Sequence, residues 1–152
     1  MRTFSFASEL WLPRPRHEVF PFFSDAANLE RITPPWLRFR VLTPTPVLMS
    51  EGALIDYRLR LRGVPLRWRT RIAVWDPPRR FVDEQLRGPY RLWVHEHTFL
   101  ERDGGTLCGD LVRYAVAGGA LVDALLVRRD IARIFAFRAL ALREIFAAGA
   151  RL

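Results

Sequence analysis

The chain has 152 residues, of which 50% are hydrophobic and 26% charged, and its formal net charge at neutral pH is +8. This length and composition fit one globular domain with a full hydrophobic core, so residues 1–152 are assigned to a single domain. No apolar run is long enough to span a bilayer, and the N-terminus alternates like a strand where a signal peptide would be continuously apolar. We therefore expect a cytoplasmic protein.

Scarce residue types exclude several kinds of chemistry. The only cysteine, Cys108, excludes an internal disulfide and a paired-cysteine metal site. All the basic residues other than histidine are arginine, and the absence of lysine excludes Schiff-base chemistry and a phosphate-binding P-loop lysine. The chain also lacks the short motifs of serine hydrolases, zinc proteases and dinucleotide-binding folds. We accordingly expect no cofactor and no bound metal.

The first third of the chain predicts one strand, two short helices and a second strand. Alternating polarity predicts a strand over residues 3–12, and helical spacing predicts a helix over residues 16–24. Asp25 is positioned to cap a second short helix that runs to Ile32 and ends before two prolines. A second strand is predicted over residues 36–43.

The remainder predicts a run of antiparallel strands followed by one long helix. A hairpin is expected over residues 53–61 and 66–74 with Gly63 in its turn, followed by strands at 80–86, 91–101 and 106–116. A helix is expected over residues 120–148, with an apolar stripe formed by Val127, Ile131, Ile134, Phe135, Leu142, Ile145 and Phe146. The order predicts an α+β fold in which a curved antiparallel sheet, accompanied by two short helices, is covered on its concave face by the long C-terminal helix.

Polar and aromatic side chains share strand faces in the second half of the predicted sheet. Asp83 lies on the same face as Phe81 in one strand, and two imidazoles, His95 and His97, lie on the same face as Trp93 in the next. A solid core would not accept these groups, because each unpaired buried polar group costs roughly 1–3 kcal/mol. A cavity that holds a small molecule would accept them, so a ligand pocket is predicted here.

Several segments spread over nearly the whole chain match the pattern of a known family. They are residues 27–35, 63–65 with Trp68, 75–81, 88–90, 93–97, and Asp110 with Tyr114. Together they resemble the SRPBCC superfamily, which includes START-like lipid carriers, polyketide cyclases and pollen-allergen-type binders. The similarity is greatest to bacterial ligand-binding SRPBCC domain proteins. The resemblance implies a helix-grip fold with a cavity between the sheet and the C-terminal helix, and it carries no catalytic set that transfers to this chain.

The predicted ligand-binding residues come from the strands and the last helix. They are Tyr57, Trp68, Asp83, Gln85, Trp93, His95, His97, Asp110, Tyr114, Phe135 and Arg138. The polar members orient the polar end of a ligand, or serve as acid and base, or form one buried network that stabilises the sheet.

Two of the predicted site features have further alternatives. The spacing of His95 and His97 can place both on one metal ion with Asp83 or Asp110 as third ligand, but nothing completes the ligand set, so hydrogen bonds to those carboxylates are expected instead. Arg138 lies on the apolar stripe of the last helix. It is expected to pair with one of the two carboxylates, to hold an anionic group of a ligand, or to extend to solvent.

Six arginines alternate along the predicted hairpin, on the side away from its apolar residues. They are Arg58, Arg60, Arg62, Arg67, Arg69 and Arg71. Such a patch can dock on nucleic acid or an anionic membrane, but charge runs usually form solvated faces, and neither a nucleic-acid motif nor interleaved aromatics accompany this one. The sequence favours a solvated face, does not favour nucleic acid, leaves transient contact with an anionic membrane open, and gives no oligomeric state.

Three functions are therefore weighed. The favoured one is non-enzymatic binding or transport of a small apolar or aromatic molecule that is lipid-, quinone- or polyketide-like. The alternative is a cyclase- or dehydratase-type enzyme in which the cavity's Asp and His residues move protons. The third is an interaction module that docks anionic partners through the arginine-rich hairpin. A hydrogen-bonded His–Asp pair facing open volume would favour the enzyme, and a cavity without one would favour the carrier.

Overall fold

Seven antiparallel strands form one open sheet in the computed structural model, which describes residues 1–147. The strands are β1 (Phe4–Leu12), β2 (Arg40–Val41), β3 (Leu54–Leu61), β4 (Val64–Asp76), β5 (Arg80–Arg87), β6 (Leu92–Arg102) and β7 (Gly105–Ala115). Their order across the sheet is β1-β7-β6-β5-β4-β3-β2. Strands β2 to β7 therefore pair with their neighbours along the chain, and only β1 crosses to the far edge, where it pairs with β7.

The helices lie at the two ends of this run of strands, as the predicted α+β helix-grip fold requires. Helix α1 (Arg16–Phe23) and two 3₁₀ turns (Ala26–Arg31 and Pro35–Leu37) follow β1. The C-terminal helix begins as α2 (Gly119–Val122), passes through a π turn (Asp123–Val127) and continues as α3 (Arg128–Ile145).

The long helix begins one residue before its predicted start and ends at Ile145. The last predicted helical residue, Ala148, lies outside the described residues. Within residues 1–147, no helix is both long enough and apolar enough to cross a membrane.

Two sequence-based expectations for the strands are wrong. The strand predicted over residues 36–43 is reduced to Arg40–Val41, because the preceding 3₁₀ turn ends in the left-handed conformation of Arg38, with φ +45°. In β4 a bulge between Ile72 and Val74 shifts the alternation of side chains, so Trp75 packs on the core in place of Val74.

Aromatic side chains of the hydrophobic core cluster next to α1. Phe20 contacts Trp75, Phe81 and Phe99 with ring centroids 5.1–6.1 Å apart. Phe146, at the end of the long helix, is fully buried in the same cluster. Toward the other end, Ile131 packs in a second cluster against β7. The stripe of the helix thus packs at both ends, and its middle borders open space.

One residue of the predicted arginine patch does not lie on the outer face. Arg62 occupies the β3–β4 turn with φ +49°. Its guanidinium donates two hydrogen bonds, of 3.1 and 2.9 Å, to the carboxylate of Asp130 on α3. This exposed pair joins the end of the hairpin to the long helix.

Candidate functional site

A cavity of about 200 Å³ lies between the inner face of the sheet and the C-terminal helix. Residues of α1, the 3₁₀ turns, strands β3–β6 and α3 line it. Most of the lining is apolar or aromatic, and the charged or imidazole groups are Asp83, His95, His97 and Arg138. The site has the concave, apolar form with a few polar groups that is typical of small-molecule sites.

The structure places most of the predicted site residues around this cavity. The lining includes Tyr57, Trp68, Asp83, Trp93, His95, His97, Phe135 and Arg138. Strand alternation accounts for this, since β5 and β6 present these residues on the same inner face as Phe81 and Phe99.

Three predicted residues lie outside the lining, because their polar groups have other partners. Gln85 is hydrogen bonded through its amide to the backbone of Tyr90, donating at 2.8 Å and accepting at 3.1 Å. The hydroxyl of Tyr114 donates to Asp123 at 2.6 Å, inside the π turn. Asp110 lies behind the histidines and reaches the site only through them and Arg138.

The polar wall of the cavity is a cluster of two imidazoles and two carboxylates. His97 Nε2 donates to Asp83 Oδ2 at 2.6 Å, and His95 Nε2 donates to Asp110 Oδ1 at 2.7 Å. The second nitrogens face the opposite carboxylates at longer distances, 3.6 Å from His97 Nδ1 to Asp110 and 3.9 Å from His95 Nδ1 to Asp83. Each carboxylate therefore lies near both rings.

Ring stacking fixes the orientation of the imidazoles. The two imidazole centroids are 3.7 Å apart, and the ring of Phe81 stacks on His97 at 4.1 Å with an interplanar angle of 15°. Both histidines are 5% exposed. The β5–β6 pairing places Phe81 opposite His97 and Asp83 opposite His95, so the cluster is a direct product of strand register.

Burial and hydrogen bonding set the charge states of the cluster. Burial and the neighbouring His95 lower the pKa of His97 to about 4, so this imidazole is neutral at physiological pH. Burial by itself would raise the pKa of Asp83 and of Asp110. At Asp83 the hydrogen bond from His97, the neighbouring imidazoles and Arg138 together outweigh burial. At Asp110 the charge of Arg138 and the hydrogen bond from His95 do so together with the imidazoles, so both carboxyl pKa values are lowered.

Arg138 carries the positive charge at this wall. Its Nη2 lies 3.5 Å from Asp110 Oδ1, which is one of the alternatives left open by the sequence. Its guanidinium lies over the rings of Phe23 and Phe135 at 5.3 and 5.7 Å. Its Nε is buried and has no hydrogen-bond partner among the described residues, and the same is true of His97 Nδ1. Such unsatisfied buried groups are uncommon and often mark a functional site.

The donors that could hold a metal are Asp83, His95 and His97, whose ligand atoms all lie within 4.8 Å of one another. Both Nε2 atoms already donate to carboxylates at hydrogen-bond distance. A cation held through the Nε2 atoms would have to replace those two protons, whereas His97 Nδ1 has no hydrogen-bond partner among the described residues.

Several lining residues were missed by sequence reasoning. Thr70 lies on the inner face of β4, where alternation could have identified it, and Tyr90 belongs to the segment that resembles the superfamily. Phe39 and Met49 come from irregular chain between β1 and β3, where no periodicity marks the inward side.

Comparison with known protein families defines the class of this protein. Residues 12–137 match the sequence profile of the family described as polyketide cyclase / dehydrase and lipid transport. This chain belongs to that family. No protein with a curated description matches it.

Solved structures share the fold at low sequence identity. The Zhui aromatase/cyclase from Streptomyces sp. R1128 superposes with a TM-score of 0.67 at 19% identity, covering 99% of this chain and 100% of its own. Protein Ms6760 from Mycobacterium smegmatis gives 0.68 at 17% identity, covering 96% and 91%. The major latex-like protein 151 of Panax ginseng gives 0.70 at 9% identity, covering 95% and 98%. At these identities the likeness concerns the fold.

Proposed function

We propose that this protein binds or carries a small apolar or aromatic molecule in the cavity beneath its C-terminal helix. The observation that carries the proposal is the 200 Å³ cavity with an apolar lining and one polar wall. An engineered apolar cavity of about 150 Å³ accommodates benzene, so this volume suits a molecule of one or two rings, such as a quinone or a small polyketide-like aromatic. Burial of its apolar surface contributes roughly 25 cal/mol per Å².

The polar wall would orient such a molecule. Arg138 Nε offers an unpaired donor and His97 Nδ1 an unpaired acceptor, since His97 is neutral and donates through its other nitrogen. A ligand that carries a carbonyl or hydroxyl oxygen can therefore satisfy groups that the protein leaves unsatisfied. Oxygen-bearing aromatics should bind more tightly than hydrocarbons of the same shape.

Native mass spectrometry of freshly purified protein tests the proposal directly, because a co-purified small molecule would give the class of ligand. A second test titrates 2-naphthol and 2-methylnaphthalene against wild type, Leu59→Trp and Leu48→Trp. Leu59 is buried and lines the cavity, whereas Leu48 is 87% exposed, so only the first variant fills the cavity. Tighter binding of 2-naphthol, lost in Leu59→Trp alone, is expected. Equal binding by both variants would place the ligand elsewhere and overturn the proposal.

A second candidate function is proton transfer of the cyclase or dehydratase type. The observation that favours it is the His95–Asp110 hydrogen bond of 2.7 Å beside open volume, because a carboxylate that orients an imidazole is a common acid–base arrangement. This pair meets the criterion stated for the enzyme in the sequence analysis. The low pKa of His97 makes that residue a weak base and favours a positioning role for it, and the mostly apolar lining keeps binding as the first proposal.

Hydrogen–deuterium exchange of 2-tetralone, a two-ring ketone with acidic methylene protons, separates the two functions. A catalytic cluster should accelerate the exchange over buffer, and His95→Gln should remove most of an effect that is typically 10²–10⁴-fold for general base catalysis. A carrier should bind 2-tetralone without accelerating exchange, and that outcome would exclude the enzyme.

A further inference from the structure

The outer face of the sheet carries a lateral row of arginines on β2, β3 and β4. Arg40 lies directly opposite Arg58, and Arg58 lies directly opposite Arg67. All three side chains are exposed. Neighbouring strands are about 4.8 Å apart, and like charges in directly opposed positions destabilise a sheet. These three residues, here called the arginine row, therefore stand in an arrangement that an anionic partner would stabilise.

Few carboxylates lie close enough to the arginine row to neutralise its positive charge. Among residues 1–147, Arg58 and Arg67 form no ion pair, and Arg40 approaches Glu30 only at 3.7 Å. By contrast, the neighbouring Arg69 is held by two hydrogen bonds of 2.8 and 3.2 Å to Asp56. The next arginine along β4, Arg71, is paired with Glu84. The positive charge is thus concentrated at the β2–β4 end of the outer face.

Exposed apolar side chains flank the row. Leu54, on the outer face of β3 opposite Arg71, is 46% exposed, and Leu86, next to Arg87 on β5, is 48% exposed. Arginines on a face that also exposes leucine suit a lipid surface, which offers phosphates and, just beneath them, acyl chains. Nucleic acid would gain little from these aliphatic groups, and no aromatic ring alternates with the row for base stacking.

We propose that this face of the sheet docks peripherally on an anionic lipid bilayer. The arginine row lies at the headgroup phosphates, and Leu54 and Leu86 contact the boundary with the acyl chains. Docking through the outer face leaves the cavity, on the opposite side of the sheet, free of the lipid contact. The proposal does not depend on which ligand the cavity holds.

Vesicle co-sedimentation tests the proposal with the whole chain. The vesicles are phosphatidylcholine alone and phosphatidylcholine mixed with phosphatidylglycerol. The row variant is Arg40→Gln with Arg58→Gln and Arg67→Gln. The matched control replaces the same number of exposed arginines elsewhere by glutamine, namely Arg91, Arg102 and Arg113. Thermal unfolding midpoints establish that both variants are folded.

Wild type should bind only the anionic vesicles, and binding should weaken as salt rises. Each arginine near an anionic surface raises the binding constant about fivefold, so the row variant should bind roughly 100-fold more weakly. The affinity of the control variant for the anionic vesicles should fall by less than tenfold. Equal losses in both variants would mean that net charge alone acts, and would overturn the proposal. Failure of wild type to bind, or tighter binding to duplex DNA than to vesicles, would overturn it as well.

Discussion

His97 is a buried imidazole that folding keeps neutral, and this gives it a measurable effect on stability. Its pKa falls from an ordinary value of 6.5 to about 4 in the folded protein. Between those values the unfolded chain binds a proton that the folded chain refuses, so the free energy of unfolding rises with pH. The slope contributed by one such group is at most about 1.4 kcal/mol per pH unit. Acidification across this window should therefore destabilise the protein.

The variant His97→Gln should flatten that dependence, because glutamine retains a donor toward Asp83 but has no titrating proton. Denaturant unfolding at several values between about pH 4 and pH 7 measures the slope. His17→Gln is the matched control, since His17 is exposed on α1, and it should keep the wild-type slope. A His97→Gln slope equal to that of wild type would show that His97 is not the titrating group.

The predicted apolar stripe includes two phenylalanines with different surroundings, Phe135 within α3 and Phe146 directly after its end. Phe146 is fully buried, so Phe146→Ala should lower the free energy of unfolding by about 3–5 kcal/mol. Phe135 borders the cavity and is only half-buried, so its truncation enlarges a space that already exists and should cost roughly 1–2 kcal/mol. Chemical denaturation of the two variants checks the order. Equal losses would mean that Phe135 packs as solid core.

The sequence predicted the secondary-structure elements and the inward faces of the strands well wherever the spacing of apolar residues was uninterrupted. Alternation in β6 placed His95 and His97 on the inner face, and the resemblance to the superfamily placed a cavity beneath the helix. Alternation failed at the β4 bulge, because one extra residue reverses the face of every residue that follows, as for Trp75. Which carboxylate each imidazole bonds depends on the register of three strands, and no single strand carries that information.

Polar residues were harder to assign than apolar ones. Gln85 and Tyr114 have the strand parity of cavity residues, yet both are satisfied by partners on other elements. The pattern gives the face of a side chain and leaves its partner open. Arg40 is the opposite case, since its place beside Arg58 became visible only from the short β2–β3 pairing.

At the scale of the whole molecule, the Arg62–Asp130 pair spans the gap between the sheet and the long helix. Beside it lies a surface hollow that shares Leu37, Leu61 and Ile134 with the cavity. Exposed ion pairs contribute about 0.2–1 kcal/mol, so Asp130→Asn should hardly change stability. If the hollow is the route to the cavity, the same variant should speed dissociation of a bound probe such as 2-naphthol severalfold.

Stopped-flow displacement measures that dissociation rate. The double variant Arg62→Asp with Asp130→Arg should restore slow dissociation, because it rebuilds the pair with the charges exchanged. The exposed pair of Arg79 with Asp76 supplies a control, and Arg79→Gln should leave the rate unchanged. An unchanged rate in Asp130→Asn would place the entrance elsewhere.

The π turn of the C-terminal helix determines which side chains the cavity receives. A π turn holds one residue more than an α turn, and each residue advances a helix by about 100°. The upstream end is fixed by the hydrogen bond from Tyr114 to Asp123, so this extra residue rotates everything after Val127 about the helix axis. Removing one residue from the turn would therefore direct a different side of α3 at the sheet. The shape of the binding space can change in this way without any substitution among the residues that enclose it.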